Sequence, residues 1–375
     1  MKVLISGYYG FGNVGDDSVL QAIVEGLRDY DPKIKITALS NSPKLTKELH
    51  GVEAIHRFSW ARILARMIRA DVFMSGGGTL LQNITSNRSF LYYIGLIWLA
   101  KLLRKRTVVF AQGFGPLQGK FYRTLARFTL NRVDLITLRD QDSFDQIRQI
   151  GVKKPKVYLS GDPAAILKIP RVEEGRKILS LEAIRTDRPL VGIAVRSVPK
   201  KEEEKLYRSL SETIDWLCKA YHFEPVFVLF HCPEDMMETS KVINHMQAKS
   251  NVVFRMCRPS EMLSLVSTFD LLLGMRLHSL IFAAMNSVPM LGLSYDPKVE
   301  AFMKTVGQPY LQVDDHIDPL KIKNAVEKIL KDKQRIRSDL DERMKELHDQ
   351  AALNFRLFSN QFRPRRRVKK TLIKQ

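Results

Sequence analysis

Cysteine is scarce in this chain: Cys218, Cys232 and Cys257 are the only ones among 375 residues. An odd number at such wide spacing makes neither a zinc ribbon nor a disulfide scaffold, so a reducing, cytoplasmic setting is expected. Long apolar runs are missing too. The most lipid-like stretch runs from Phe90 to Leu103 and ends among Lys101, Arg104, Lys105 and Arg106. It falls short of the roughly 20 residues a spanning helix needs. At the N-terminus, Val3-Leu4-Ile5 passes at once into Ser6-Gly7, too short an apolar run for a secretory signal. No His, Cys, Asp and Glu cluster has metal-ligand spacing, so neither a metal nor a bound cofactor is expected. Acids are outnumbered, 40 Asp and Glu against 60 Lys and Arg, for a formal charge of +20.

That charge is unevenly placed. From Arg363 onward the basic residues Arg365, Arg366, Arg367, Lys369, Lys370 and Lys374 follow with no acid among them. Arg62, Arg66 and Arg69 share one face of an expected helix whose other face carries Trp60, Ile63, Leu64 and Met67. Such surfaces suit nucleic acid, an anionic membrane or acidic small substrates. The tail lacks the interleaved aromatics of a single-strand binder, so nucleic acid is not expected as a partner.

What is present is alternation. Short apolar runs at Lys2–Ser6, Lys35–Leu39, Val52–His56, Asp71–Ser75, Thr107–Gln112, Leu135–Arg139 and Val157–Gly161 predict strands. Amphipathic stretches such as Asp17–Arg28 and Asp142–Ile150 separate them. Strands alternating with helices imply a parallel sheet covered on both faces. After a mixed-charge stretch at 166–189, read as a linker with room for a short helix, the alternation restarts. Strands are expected at Leu190–Arg196, Val226–His231, Val252–Met256, Leu271–Met275 and Met290–Ser294, with a helix at Glu202–Tyr221. The expected fold class is therefore α/β, with two Rossmann-like domains, 1–165 and 190–333, facing across a cleft. A C-terminal helix at 334–360 crosses back, and a basic tail occupies 361–375. Open α/β sheets bind ligands beyond the carboxyl ends of their strands.

The candidate chemistry sits at those ends. Gly10-Phe11-Gly12-Asn13-Val14-Gly15-Asp16 follows a strand and opens a helix, a setting in which backbone amides suit an anion. Its glycines fit the dinucleotide spacing, but the second strand leads into Ser40-Asn41 and lacks the acidic ribose hook. Asp16 and Asp17 have helix capping as their plain alternative. A second loop, Gly76-Gly77-Gly78 through Asn83, lets backbone approach a ligand or simply turns sharply. In the second half, Leu273-Gly274-Met275-Arg276-Leu277-His278 puts a guanidinium and an imidazole within one turn at a strand end. Arginine grips carboxylate or phosphate through two bonds, and histidine moves protons near neutral pH. Arg139, Arg196 and Lys298 occupy further strand ends. Each alone fits a structural ion pair; together with Arg276 they suggest a small substrate with two anionic groups.

In this order and spacing, the Gly10–Asp16 loop, the Gly76–Gly78 loop, Leu138-Arg139-Asp140 with Ser143, and Arg276-Leu277-His278 resemble the polysaccharide pyruvyl transferases, in particular the CsaB type of Gram-positive cell-wall biosynthesis. The resemblance spans roughly residues 1 to 310 and leaves out the basic tail. It implies a GT-B-like fold and transfer of pyruvate from phosphoenolpyruvate, as a 4,6-linked ketal, onto a sugar. For the CsaB type that sugar is a β-linked N-acetylmannosamine on a lipid-diphosphate intermediate, a precursor of a secondary cell-wall polymer used in S-layer anchoring. His278 resembles the family's catalytic histidine, and Arg276 and Arg139 its phosphoenolpyruvate ligands. Arg196 and Lys298 join that binding set. The acceptor is assigned to the N-terminal domain, at Gly12, Asn13, Gly15, Asp16, Gly76, Gly77, Gly78 and Asn83. A membrane-borne acceptor implies an enzyme on the inner face of the cell membrane. A GT-B glycosyltransferase using a nucleotide sugar is the alternative, and a non-catalytic binder of membrane or nucleic acid the third reading.

Overall fold

Strands that are apolar along their whole length have to be covered on both sides, and this chain has several. Every residue of Val72–Gly76, Leu190–Ala194, Leu271–Gly274 and Met290–Ser294 is buried. The computed structural model describes residues 1–314 and 316–362 and places these strands in two wholly parallel sheets, one of seven strands and one of six. The tail beginning at Arg363, expected to suit an anionic membrane, lies outside the described residues.

The first unit runs β1 (Lys2–Ser6), α1 (Val14–Tyr30), β2 (Lys35–Ser40), α2 (Pro43–His50), β3 (Glu53–His56), α3 (Trp60–Arg69) and β4 (Val72–Gly76). It continues with α4 (Asn87–Leu102), β5 (Arg106–Gln112), α5 (Lys120–Leu130), β6 (Leu135–Leu138), α6 (Gln141–Gln149) and β7 (Lys156–Leu159). Next come α7 (Val172–Leu181), β8 (Leu190–Ala194), α8 (Lys200–Tyr221), β9 (Glu224–Val228), α9 (Glu234–His245), β10 (Asn251–Val253), α10 (Pro259–Val266) and β11 (Leu271–Gly274). The rest is α11 (Leu277–Met285), β12 (Met290–Ser294), α12 (Pro297–Thr305), β13 (Tyr310–Gln312), α13 (Pro319–Lys331) and α14 (Lys333–Phe362). The sheet orders are β3-β2-β1-β4-β5-β6-β7 and β10-β9-β8-β11-β12-β13. Both are doubly wound, and the strand order reverses between β1 and β4 in one and between β8 and β11 in the other.

Helix starts follow local chemistry. Asn13, Ser86, Asp140, Asp296 and Asp318 accept first-turn amides with their side chains, and Pro297 and Pro319 open their helices. Asn13, rather than Asp16 or Asp17, is thus the cap of α1. One side of the first sheet packs on α3, α4, α5 and α6, the other on α1 and α14. Of the apolar face expected on α3, only Ile63 and Met67 are buried; Trp60 and Leu64 are 53% and 41% exposed. A single stripe of this short helix reaches the sheet, and residues a quarter-turn away face outward.

Helix α14 joins the units. Its start packs into the second core through Ile336 and Leu340, and its end fills the first through Phe358 and Phe362. Between them, Asn354 accepts a bond from Ser160 Oγ at 2.8 Å and donates to Gly161 O at 3.0 Å. No described helix is long and apolar enough to cross a membrane.

Candidate functional site

Both reversal points open onto one cleft of about 330 Å³. From the first unit it receives Tyr8, Asn13 and Asp16 after β1, Gly78, Thr79 and Gln82 after β4, and Arg139 after β6. The second unit supplies Arg196 after β8, Arg276 and His278 after β11, and Lys298 after β12. The start of α1 is bound directly to the second unit, with Val14 N donating to Phe230 O at 2.8 Å and Cys232 N to Gly12 O at 3.2 Å.

Each cation is held in its own way. Arg276 is the N-cap residue of α11, and its guanidinium lies on the fully buried Asp235, with Nε 3.1 Å from Oδ1. Asp235 also accepts from the backbone N–H groups of Phe230 and His231 at 3.1 and 2.9 Å, so it is locked in place and locks Arg276. Arg139 donates through Nη1 to Asp162 at 2.6 Å and lies 3.9 Å from Asp140. Burial works against its charge, but Asp162 and Asp140 outweigh that and keep it firmly protonated. Lys298, 4.0 Å from Asp296, has its pKa lowered by burial. Arg196 makes no ion pair with a described carboxylate; it lies over the Tyr295 ring at 4.1 Å. Burial, then the like charge of Arg276, pull its pKa down to about 10. An anionic ligand would relieve this excess of positive charge. The N-terminal turns of α11 and α12 also border the cleft and favour an anion.

His278, in the first turn of α11, has a buried Nε2 without a hydrogen-bond partner. The nearest carboxylate oxygen, Asp162 Oδ2, is 3.7 Å away. Burial alone would raise the Asp162 pKa, yet Arg139 and His278 hold it well below the usual carboxylate range. Asp16 goes the other way: burial, partly offset by His278, pushes its pKa up to about 6. A Cβ on Gly15 would stand 2.3 Å from His278 Nδ1, so the imidazole occupies space that only glycine leaves.

Eight of the residues singled out from sequence therefore meet in one cleft: Asn13, Asp16, Gly78, Arg139, Arg196, Arg276, His278 and Lys298. Gly12 lies at the contact between units and Gly15 beneath the imidazole. Gly76 ends β4, and Gly77 packs on Val19. Asn83 is buried and engaged elsewhere, accepting from Gln118 N at 2.7 Å and donating to Gln118 O at 3.0 Å. Sequence reasoning missed Asp162 and Asp235, the carboxylates that fix Arg139 and Arg276. Both follow strand ends, in Gly161-Asp162-Pro163 and Cys232-Pro233-Glu234-Asp235, and strand-end position was the signal available. A second, mainly apolar cavity of about 370 Å³ shares Arg139 and Lys298 but includes neither Arg196, Arg276 nor His278.

Two facing doubly wound domains with a polar cleft between them define a GT-B-type architecture. The structure is similar to HepE of Anabaena, solved with UDP-glucose (TM-score 0.63, 12% identity, 96% of this chain and 98% of that one). It is also similar to a UDP-GlcNAc 2-epimerase from Neisseria meningitidis solved with UDP-GlcNAc (TM-score 0.64, 11% identity, 96% and 100%). By sequence, the profile of the polysaccharide pyruvyl transferases matches residues 13–297, and the chain belongs to that family. The amylovoran biosynthesis protein AmsJ of Erwinia amylovora is 21% identical over 374 residues, covering 84% of this chain and 88% of AmsJ.

Proposed function

We propose that this chain moves pyruvate from phosphoenolpyruvate onto a sugar as a 4,6-linked ketal and releases phosphate. One observation carries the reading: four cations from both units surround, in a single cleft, a histidine whose Nε2 makes no hydrogen bond. Phosphoenolpyruvate presents a carboxylate and a phosphate on one carbon, and Arg276, Arg139, Arg196 and Lys298 would hold them. His278 gives a proton to the methylene carbon as the first sugar hydroxyl oxygen bonds to C2. Phosphate leaves with the electron pair of its C2–O bond, and the second hydroxyl closes the ketal. Of the two hydroxyl protons, one replaces that given to the methyl group and the other leaves on phosphate. Arginines fixed by Asp162 and Asp235 stabilise the developing charges without reorganising.

No further cofactor enters this reaction. The acceptor in this reading is an amino sugar of the CsaB type, β-linked N-acetylmannosamine on a lipid diphosphate. It would lie against the first unit at Asn13, Asp16 and Gly78, with the enzyme on the inner face of the membrane. The test is phosphate release from phosphoenolpyruvate with and without a lipid-diphosphate amino sugar. Acceptor-dependent release is expected. The two similar structures named above were solved with UDP-sugars, so turnover of a UDP-sugar without phosphoenolpyruvate would favour a glycosyltransferase instead.

A further inference from the structure

We infer that the outer face of α3, α4 and α5 is a docking surface for an anionic lipid bilayer. These helices form one layer: Ile63 and Met67, Phe90, Ile94 and Ile97, and Ala126 and Leu130 enter the same core. Their outward sides carry large apolar side chains among the charged ones. Trp60, Leu64 and Ile68 on α3 are 53%, 41% and 53% exposed; Leu91 and Leu102 on α4 are 42% and 79% exposed. Phe121 and Phe128 on α5 are 65% and 49% exposed. The four-residue spacing on α3 and the seven-residue spacing on α5 each align side chains in a stripe. Aromatic contacts knit the layer together. Tyr92 lies 5.6 Å from Phe58 and 5.9 Å from Trp60, and Trp98 stacks on Phe128 at 5.3 Å. Single exposed apolar side chains are ordinary; this many on one layer mark an interaction site.

The surrounding charge selects the partner. Between Glu53 and Asp134 the sequence holds thirteen Lys and Arg and a single acid, Asp71. Arg62, Arg69, Arg88, Arg104, Arg123 and Arg127 are exposed. A second copy of the chain would set like charges against each other, and nucleic acid has no use for Leu64, Ile68 and Leu102. A bilayer with anionic headgroups matches both features, with cations at the phosphates and apolar side chains in the acyl boundary. The connection from β4 to α4 and the first two turns of α4 tie this face to the cleft: Gln82, Thr85, Ser89 and Tyr93 line the cleft, while Ile84 is 58% exposed. That the docked face delivers a lipid-borne acceptor rests on the proposed function; the docking itself does not.

Co-sedimentation of the full chain with phosphatidylglycerol/phosphatidylcholine vesicles, and with phosphatidylcholine alone, tests the assignment. Salt-sensitive binding to the anionic vesicles is expected, with a blue shift of Trp60 emission that is lost in Trp60→Phe. Arg62→Glu/Arg69→Glu should weaken binding by at least about tenfold, and Trp60→Gln/Leu64→Gln/Ile68→Gln should abolish the part that survives high salt. The control Lys328→Glu/Lys331→Glu, on exposed positions of α13, should bind as wild type. All variants should release phosphate normally with a short soluble acceptor, which separates a docking failure from a failure of the proposed reaction. Unchanged vesicle binding by both α3 variants would overturn the proposal. So would equal weakening by the α13 control, retention by nucleic acid without vesicle binding, or an α3-dependent dimer that ignores vesicles.

Discussion

Arg139 and Arg196 look equivalent as strand-end arginines, yet their surroundings assign them different costs. Arg139→Ala would leave Asp162, its side chain 12% exposed, buried beside no guanidinium. Breaking such a pair costs about 3–5 kcal/mol, so this variant should lose stability together with activity. Arg196 makes no ion pair with a described carboxylate, and the like charge of Arg276 weighs on it more than the more weakly acting Asp296 and Asp235. Arg196→Ala should therefore keep or raise the melting temperature while raising the phosphoenolpyruvate concentration needed by roughly ten- to hundredfold. Saturation curves and thermal melts on the same preparations check both; unchanged saturation in Arg196→Ala would remove it from the site. Asp16 makes a pH prediction. With its pKa raised to about 6, the folded chain keeps a proton that the unfolded chain loses near pH 4. The folded state binds more protons in that window, so stability falls as pH rises from about 4 to 6. Asp16→Asn should remove roughly 1–2 kcal/mol of that fall, read from urea melts at pH 4.5 and 7. Identical slopes in wild type and variant would contradict the assignment.

At the level of elements, the meeting of α1 and α11 shapes the site. Gly15 in the first turn of α1 faces His278 in the first turn of α11, and no side chain fits between them. Gly15→Ala improves helix propensity by up to about 1 kcal/mol, so the fold should survive while the imidazole is displaced. Loss of the proton transfer should cost about 10²–10⁴ in kcat, the same as His278→Ala. The double variant should be no slower than His278→Ala alone, because both changes remove one group. Additive losses would mean that Gly15 acts by another route. This contact also marks where sequence reading stops. Strand ends were legible because apolar runs break into Gly, Arg and Asp there, and that brought Arg139, Arg196, Arg276 and His278 to notice. Which acid answers which arginine was not legible: Asp162 and Asp235 lie 23 and 41 residues from their partners. Such pairings depend on how two sheets face each other, which periodicity does not encode. Strand β13 was missed because its three residues are only partly buried or exposed and carry no apolar run. Trp60 and Leu64 stay exposed because periodicity gives a face, not the width of the stripe that reaches the sheet.

Across the whole molecule, α14, the start of α1 and the groups around the cleft hold the two units together. α14 lies in the second core at Ile336 and Leu340 and in the first at Phe358 and Phe362, so neither core can open without disturbing the other. The wild type should therefore melt in a single calorimetric transition. Phe358 is fully buried and packs on Phe110 at 6.2 Å between ring centres. Phe358→Ala opens a cavity costing about 3–5 kcal/mol, all of it in the first unit. The expected result is two transitions, with the first unit melting below the second. Phosphoenolpyruvate should draw them together again, because its proposed grip takes Arg139 from one unit and Arg196, Arg276 and Lys298 from the other. At a hundred times its dissociation constant a ligand adds about 2.7 kcal/mol to the state that binds it. That is comparable to the loss in the first unit, so the lower transition should move most. Adding Arg196→Ala to Phe358→Ala should remove the rescue and leave the split. A single, uniformly lowered transition in Phe358→Ala would show that α14 does not couple the cores. A lower transition that ignores phosphoenolpyruvate would show that the anion does not bridge them.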